Sequence, residues 1–207
     1  NIIRTEDIDL IISDVMMPVM DGMTLCKEIK SKFETSHIPI LLLTAKTSET
    51  DRTQAYEIGA DSYLTKPFNL TVLHARIHNL LRARERKNQD FKKQIVFEAK
   101  ELNYTSIDEE FLQKAIDCVH QHLDEPEYDL AHFLQDMGTS RSTLFRKMKS
   151  LTGLSYVSFI RNVRLKAACQ IMEEKKNVRI SELAYAVGFN DPRYFQQLAS
   201  KKSSATA

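Results

Sequence analysis

The stretch Ile8-Asp9-Leu10-Ile11-Ile12-Ser13-Asp14-Val15-Met16-Met17-Pro18-Val19-Met20-Asp21-Gly22 decides the fold. Its apolar part, Leu10 to Ile12, reads as a strand buried on both faces, as in a parallel sheet. The run stops at a carboxylate, Asp14, and a loop follows with Pro18 and the turn pair Asp21-Gly22. In open α/β sheets the loops at the C-terminal strand ends face a common crevice, so chemistry collects there. A carboxylate so placed can accept a phosphoryl group where a cation and a hydroxyl neutralise the added charge.

Two later strand ends offer those partners. Pro39 to Leu43 runs into Thr44-Ala45, which puts a hydroxyl at a strand tip. Asp61 to Thr65 runs into Lys66-Pro67-Phe68, which puts an ammonium there. Asp14, Thr44 and Lys66 at successive strand ends make a phosphoacceptor pocket. These words and their spacing resemble the receiver domain of two-component response regulators. The resemblance implies that Asp14 is the phosphorylated aspartate and that Thr44 hydrogen-bonds the phosphoryl group. It implies that Lys66 pairs with the phosphoryl oxygens, that Lys66-Pro67 is cis, and that Tyr63 is the switch aromatic. It also implies Mg2+, with Asp14 and the Met16 carbonyl among its ligands. The acidic pair that the family carries on an upstream strand is missing from these residues, so a partial receiver that holds Mg2+ weakly or not at all is expected. The Asp14 strand, which the family's sheet order sets beside that strand, is expected at an exposed edge.

Composition sets the outer bounds. At 207 residues with 43% hydrophobic content the chain can fill one large core or two small ones. Five glycines and five prolines are too few for a sandwich or barrel and favour helices. There is no 18-residue apolar run and no signal-peptide pattern, so no membrane contact is expected in this segment. Cys26, Cys118 and Cys169 are far apart without ligand-like spacing, and read as buried thiols of a reducing, cytoplasmic compartment. The net charge of +1 conceals an asymmetry. Residues 107–138 hold nine acids against Lys114 alone, whereas residues 139–179 hold ten Lys or Arg against Glu173 and Glu174. A concentrated basic stretch in a neutral chain points to a localised anionic partner, nucleic acid above all.

In chain order, the first eight residues read as the tail of a helix. Met23 to Phe33 has the period of an amphipathic helix through Leu25, Ile29 and Phe33. Ser48 to Ile58 reads as a more polar helix stopped by Gly59. Leu70, Leu73, Ile77, Leu80 and Leu81 mark a long helix capped by Asn69. His74 and His78 lie four apart on it without a third ligand nearby, so a metal site is not expected. The helix runs on through Arg82-Ala83-Arg84-Glu85-Arg86-Lys87 to about Lys93 as a solvated linker, and residues 94–106 read as a connector. From Ser106 a capping box with Glu109 opens a helix carrying Phe111, Leu112, Ala115, Ile116, Val119 and Leu123.

Two helix-turn-helix patterns follow. Leu130 to Met137, the turn at Gly138 and a Ser140-capped helix to Leu151 form the first. There Leu144, Met148 and Leu151 share one face, while Ser142, Arg146 and Lys149 point the other way with Phe145 at the margin. Cations and hydrogen-bond donors on an outward face suit a major-groove reader. Ser155 to Glu174 is a long helix with a Phe159, Val163, Ala167, Ile171 stripe and Arg161, Arg164 and Lys166 at polar positions. The second pattern runs from Ile180 through the Gly188-Phe189 turn to Asp191, which caps a helix starting at Pro192. This layout, with Gly188-Phe189-Asn190-Asp191-Pro192-Arg193-Tyr194-Phe195, resembles the AraC/XylS DNA-binding domain over about residues 107–198. The resemblance implies base-facing roles for Ser142, Phe145 and Arg146, and for Arg193, Gln196 and Gln197. Beyond Gln197 the chain departs from that pattern, and a frayed end from Ala199 is expected.

The fold expected is therefore an α/β flavodoxin-like receiver, partial, followed by an all-α double helix-turn-helix domain. The divisions are residues 1–83 for the receiver, 84–106 for a helical charged linker and 107–207 for the DNA-binding domain. The implied function is a phosphorylation-controlled, sequence-specific transcription regulator of a His-to-Asp phosphorelay. Its implied partners are promoter DNA, a histidine kinase domain in cis or trans, and a second copy on phosphorylation. The alternative is the C-terminal part of a hybrid sensor histidine kinase anchored in the inner membrane. Kinase catalytic motifs are absent from these residues, so any such activity would belong to a parent chain.

Overall fold

The computed structural model describes residues 3, 6–45, 53, 55–93, 104–175 and 178–203. The chain divides into two units, residues 1–88 with 104–108, and residues 89–103 with 109–207.

In the first unit three short apolar runs pair as parallel strands, β1 (Ile11–Asp14), β2 (Ile40–Thr44) and β3 (Ser62–Thr65), in the order β1-β2-β3. The register sets Ser13, Leu42 and Tyr63 in one row. Helix α1 (Gly22–Ser31) returns the chain to the sheet. Its Cys26 and Ile29 pack with Ile40, Leu42, Ala55, Ala60 and Tyr63. Lys30 ties this layer together: its ammonium meets the Asp61 carboxylate at 2.7 Å and the Ile38 carbonyl at 2.9 Å, and Asp61 accepts from the Ile40 N–H at 2.8 Å. Helix α2 (Leu70–Lys93) starts where Asn69 accepts from the Thr71 N–H, the cap read from sequence.

Three expectations change here. β1 is not buried on both faces, as its apolar run alone reads; among the described residues it is the edge strand that the missing upstream strand predicts, and Ile12 is 43% exposed. Helix α1 ends at Ser31, two residues short of Phe33, and Asp21 caps it instead of making a free turn, accepting from the Thr24 N–H and hydroxyl at 2.8 Å each. The helices expected at residues 1–8 and 48–58 fall largely outside the described residues, as does most of the connector 94–106.

The second unit is helical: α3 (Ser106–Gln121, whose first residues group with the first unit), α4 (Leu130–Met137), α5 (Arg141–Thr152), α6 (Tyr156–Glu174), α7 (Ile180–Ala186) and α8 (Pro192–Ser203). Local chemistry explains most boundaries. Asp129, Ser140 and Ser155 cap α4, α5 and α6 through side-chain oxygens. Asp191 accepts from the Arg193 N–H at 2.8 Å ahead of Pro192. Gly138 takes the left-handed conformation that ends α4. The α3 cap lies one residue earlier than expected, where Thr105 donates to Asp108 at 2.7 Å and accepts from its N–H at 3.3 Å. Ser106 and Thr105 are both hydroxyl residues three before an acid, so spacing alone did not separate them. Helix α8 runs to Ser203, beyond the expected fraying point at Ala199.

Helix α6 is the axis of this unit. Phe159, Ile160, Val163, Leu165, Ala167 and Ala168 are all buried, far more than one stripe. Arg164 and Lys166, expected at polar positions, are buried too, at 7% and 3% exposure. Lys166 donates to the Phe91 carbonyl at 3.2 Å and lies over the Phe91 ring, which stacks on Phe159. The segment ending α2 is therefore not solvated throughout, because Phe91 belongs to a core. Cys26 and Cys118 are buried, and burial pushes the Cys26 thiol up to about 11. Cys169, expected to be buried, is exposed. No helix among the described residues is long and apolar enough to cross a membrane.

Candidate functional site

Parallel pairing brings the three predicted strand ends together. Asp14 lies opposite Leu43, Thr44 opposite Thr65, and Lys66 follows at once. The Lys66 N–H donates to the Thr44 carbonyl at 2.6 Å, and Lys66-Pro67 is cis as expected. The Lys66 ammonium reaches the Asp14 carboxylate at 2.5 Å. The other Asp14 oxygen accepts from the Met16 N–H at 3.3 Å. Thr44 is fully buried at its strand tip, and Tyr63 is buried in the cluster under the sheet row it shares with Ser13 and Leu42.

The sequence reading missed one participant. Gly22 donates its N–H to the Val15 carbonyl at 2.9 Å, and a β-carbon there would stand 2.3 Å from the Asp14 carbonyl oxygen. Only glycine lets the start of α1 approach the Asp14 backbone this closely. The Asp21-Gly22 pair carries that signal, which from the sequence alone is indistinguishable from turn chemistry.

The site keeps the Asp14 carboxyl ionised. The Lys66 ammonium hydrogen-bonded to it, helped by the Met16 N–H, keeps its carboxyl below its ordinary value of 3.8. The sign follows: a depressed folded value adds stability above the ordinary value that is lost as pH falls through the folded one. In a carbon-13 carboxyl titration, Asp14 is expected to titrate below 3.8 in the wild type and to move upward in Lys66→Met. An unchanged Asp14 titration in that variant would contradict the pairing.

Asp14 and the Met16 carbonyl are the two expected magnesium ligands. Among the described residues no group of three or more His, Cys, Asp or Glu side chains could hold a metal ion, His74 and His78 included. Mg2+ requires about six oxygen ligands in a near-octahedral set. The described residues by themselves do not fit that requirement.

A second candidate site lies on the helical unit. In α5 Leu144, Met148 and Leu151 are buried, as their spacing predicts. That leaves Ser142, Phe145 and Lys149 exposed and Arg146 half-buried on the outward side. In α8 Phe195 is buried while Arg193, Gln196 and Gln197 are exposed. Arg141 and Arg161 hold their guanidinium groups over the Phe145 and Tyr194 rings, at 5.2 Å and 5.8 Å from the centroids. Each second helix of a helix-turn-helix pair thus presents one cationic and polar surface. Lys147, on the same basic stretch, is withdrawn from it, buried over the Phe111 ring.

Residues 1–78 match the family described as "Response regulator receiver domain", and residues 134–206 match that described as "Helix-turn-helix domain". "Histidine kinase P4" of Formosa agariphila is 41% identical over 197 residues, which is 95% of this chain and 14% of the relative. "Uncharacterized transcriptional regulatory protein YclJ" of Bacillus subtilis is 51% identical over 77 residues, 37% of this chain and 33% of the relative. The signal receiver domain of a signal transduction histidine kinase from Syntrophus aciditrophicus is 43% identical, over 36% of this chain and 56% of that one, with a TM-score of 0.33.

Proposed function

Because the chain joins a response regulator receiver domain to an AraC-type helix-turn-helix domain, we propose that it is the output part of a two-component phosphorelay and binds promoter DNA under phosphoryl control. The observation that carries this reading is the pair of solvent-facing helix surfaces, Ser142, Phe145, Arg146 and Lys149 on α5, and Arg193, Gln196 and Gln197 on α8. The cations neutralise phosphates, and the fork of an arginine or the amide of a glutamine reads purine edges. Two such helices on one domain suit two successive major-groove contacts.

In this reading Asp14 takes a phosphoryl group from the phosphohistidine of a kinase domain, in cis or trans. A P–N bond breaks, a P–O bond forms to the carboxylate, and Lys66 leaves its ion pair with Asp14 to meet the phosphoryl oxygens. Thr44 and Tyr63 then reorient, and the repacked receiver surface pairs with a second copy. Pairing raises the effective concentration of the second DNA-binding domain at a neighbouring half-site. Receiver domains generally bind Mg2+, and Asp14 with the Met16 carbonyl would supply two of its ligands. The proposed divisions are residues 1–83, 84–106 and 107–207, acting in the cytoplasm.

The phosphoacceptor assignment is tested by incubating the chain with a phosphorylated histidine kinase domain. Base-labile label is expected on the wild type and none on Asp14→Asn. Equal labelling of both, or of neither, would remove Asp14 from the role.

A further inference from the structure

Phe145 stands at the margin of the outward row of α5, three residues after exposed Ser142 and four before exposed Lys149. Phe145 is 36% exposed, while the buried side of the helix is already filled by Leu144, Met148 and Leu151. It is therefore not a displaced core residue. Arg141, one turn earlier, holds its guanidinium 5.2 Å from the ring centroid and steadies it. Docking this row in a major groove sets an apolar ring against base edges.

A phenyl ring neither donates nor accepts a strong hydrogen bond. Against guanine O6 and N7, adenine N6 and N7 or cytosine N4 it would strip water from a polar group and return nothing. The thymine C5-methyl is the apolar group that the major groove offers. We propose that Phe145 is a specificity-determining residue that selects thymine, through its C5-methyl, at one position of the bound site. This inference rests on the DNA reading proposed above and adds to it the identity of a base.

The test uses the full chain and the duplex it selects from a random pool. Each thymine of that duplex is replaced singly by deoxyuridine, which lacks only the methyl group. At one thymine the wild type is expected to lose affinity about three- to five-fold, the factor that burying one methyl is worth. Phe145→Ala is expected to bind the thymine and deoxyuridine duplexes equally, and Phe145→Leu to keep part of the difference. A wild type that binds its duplex specifically yet tolerates deoxyuridine at every thymine would overturn the inference and leave DNA reading standing. An equal loss in Phe145→Ala would do the same. A folded chain that selects no sequence would overturn the DNA reading and this inference together.

Discussion

Arg164→Met is expected to unfold the helix-turn-helix unit at denaturant concentrations that leave the wild type native. Arg164 lies on the buried axis helix α6, and its guanidinium donates to the Gly188 carbonyl at 2.8 Å, the Glu125 carbonyl at 2.6 Å and the His122 carbonyl at 3.4 Å. Those acceptors belong to the loop after α3 and to the turn between α7 and α8, so one side chain pins two loops to the axis. The approach is tight. A β-carbon on Gly188, whose φ is +74°, would stand 2.5 Å from the Leu123 carbonyl oxygen and 2.7 Å from the Arg164 Cζ. Burial also pulls the Arg164 guanidinium below its ordinary range. Even so it remains charged at neutral pH, and hydrogen bonds from a charged donor are worth about 1.5–3 kcal/mol each. Methionine fills similar volume but forfeits these bonds and leaves the buried Gly188 carbonyl without a donor, while the Glu125 and His122 carbonyls keep the N–H groups of Tyr128 and Glu125. The two shorter bonds alone make a loss of about 3–6 kcal/mol. Against a total of about 5–15 kcal/mol for a domain, that is a large fraction. Equilibrium unfolding checks it: Arg164→Lys should recover part of the loss, since its ammonium reaches fewer carbonyls than the planar fork. An Arg164→Met midpoint close to the wild type would contradict this account of the core.

The second large effect concerns DNA. Arg146→Ala and Arg193→Ala, one on each reading helix, are each expected to weaken binding to the selected duplex by about 1–3 kcal/mol, roughly five- to 150-fold. Arg193 is exposed and Arg146 half-buried on the outward face, with the core positions Phe195, Leu144 and Met148 on the other side. Both variants should therefore fold as the wild type does. The two sites lie on separate helices, so the double variant should lose close to the sum of the single losses. Competitive binding against random duplex separates the possible origins. Loss confined to the selected sequence marks a base contact, and equal loss on both duplexes marks a phosphate contact.

The parts of this molecule that are local in sequence were legible in it. The strand ends at Asp14, Thr44 and Lys66 follow from apolar runs meeting polar residues. The caps at Asn69, Ser140 and Asp191 follow from side chains short enough to reach the next backbone N–H groups. Charges broke the reading elsewhere. Arg164 and Lys166 read as polar positions of the helix because their burial depends on carbonyls far away in the chain, at Gly188, Glu125 and Phe91. Phe91 sits among charged residues, and its meeting with Phe159 and Lys166, far along the chain, marks it as a core residue. The axis helix α6 is enclosed on most sides, so no single stripe describes it. Ile12 is exposed on β1, an edge strand among the described residues, which the apolar run alone does not announce but the missing upstream strand does. The Tyr128 hydroxyl bonded to Asp136 at 2.6 Å, and the His122 ring stacked on Tyr128 at 4.2 Å, join loop and helix residues that no spacing rule connects.

The measurement that bears most directly on the central claim is the affinity of the full chain for its selected duplex across a salt series, with Arg146→Ala and Arg193→Ala beside the wild type. The account predicts sequence-preferring binding that falls linearly on a log–log plot. A variant that has lost a phosphate contact should lose about one from the slope, and one that has lost a base contact should lose its sequence preference. A folded chain that binds no duplex at low salt, or whose binding neither variant alters, would contradict it.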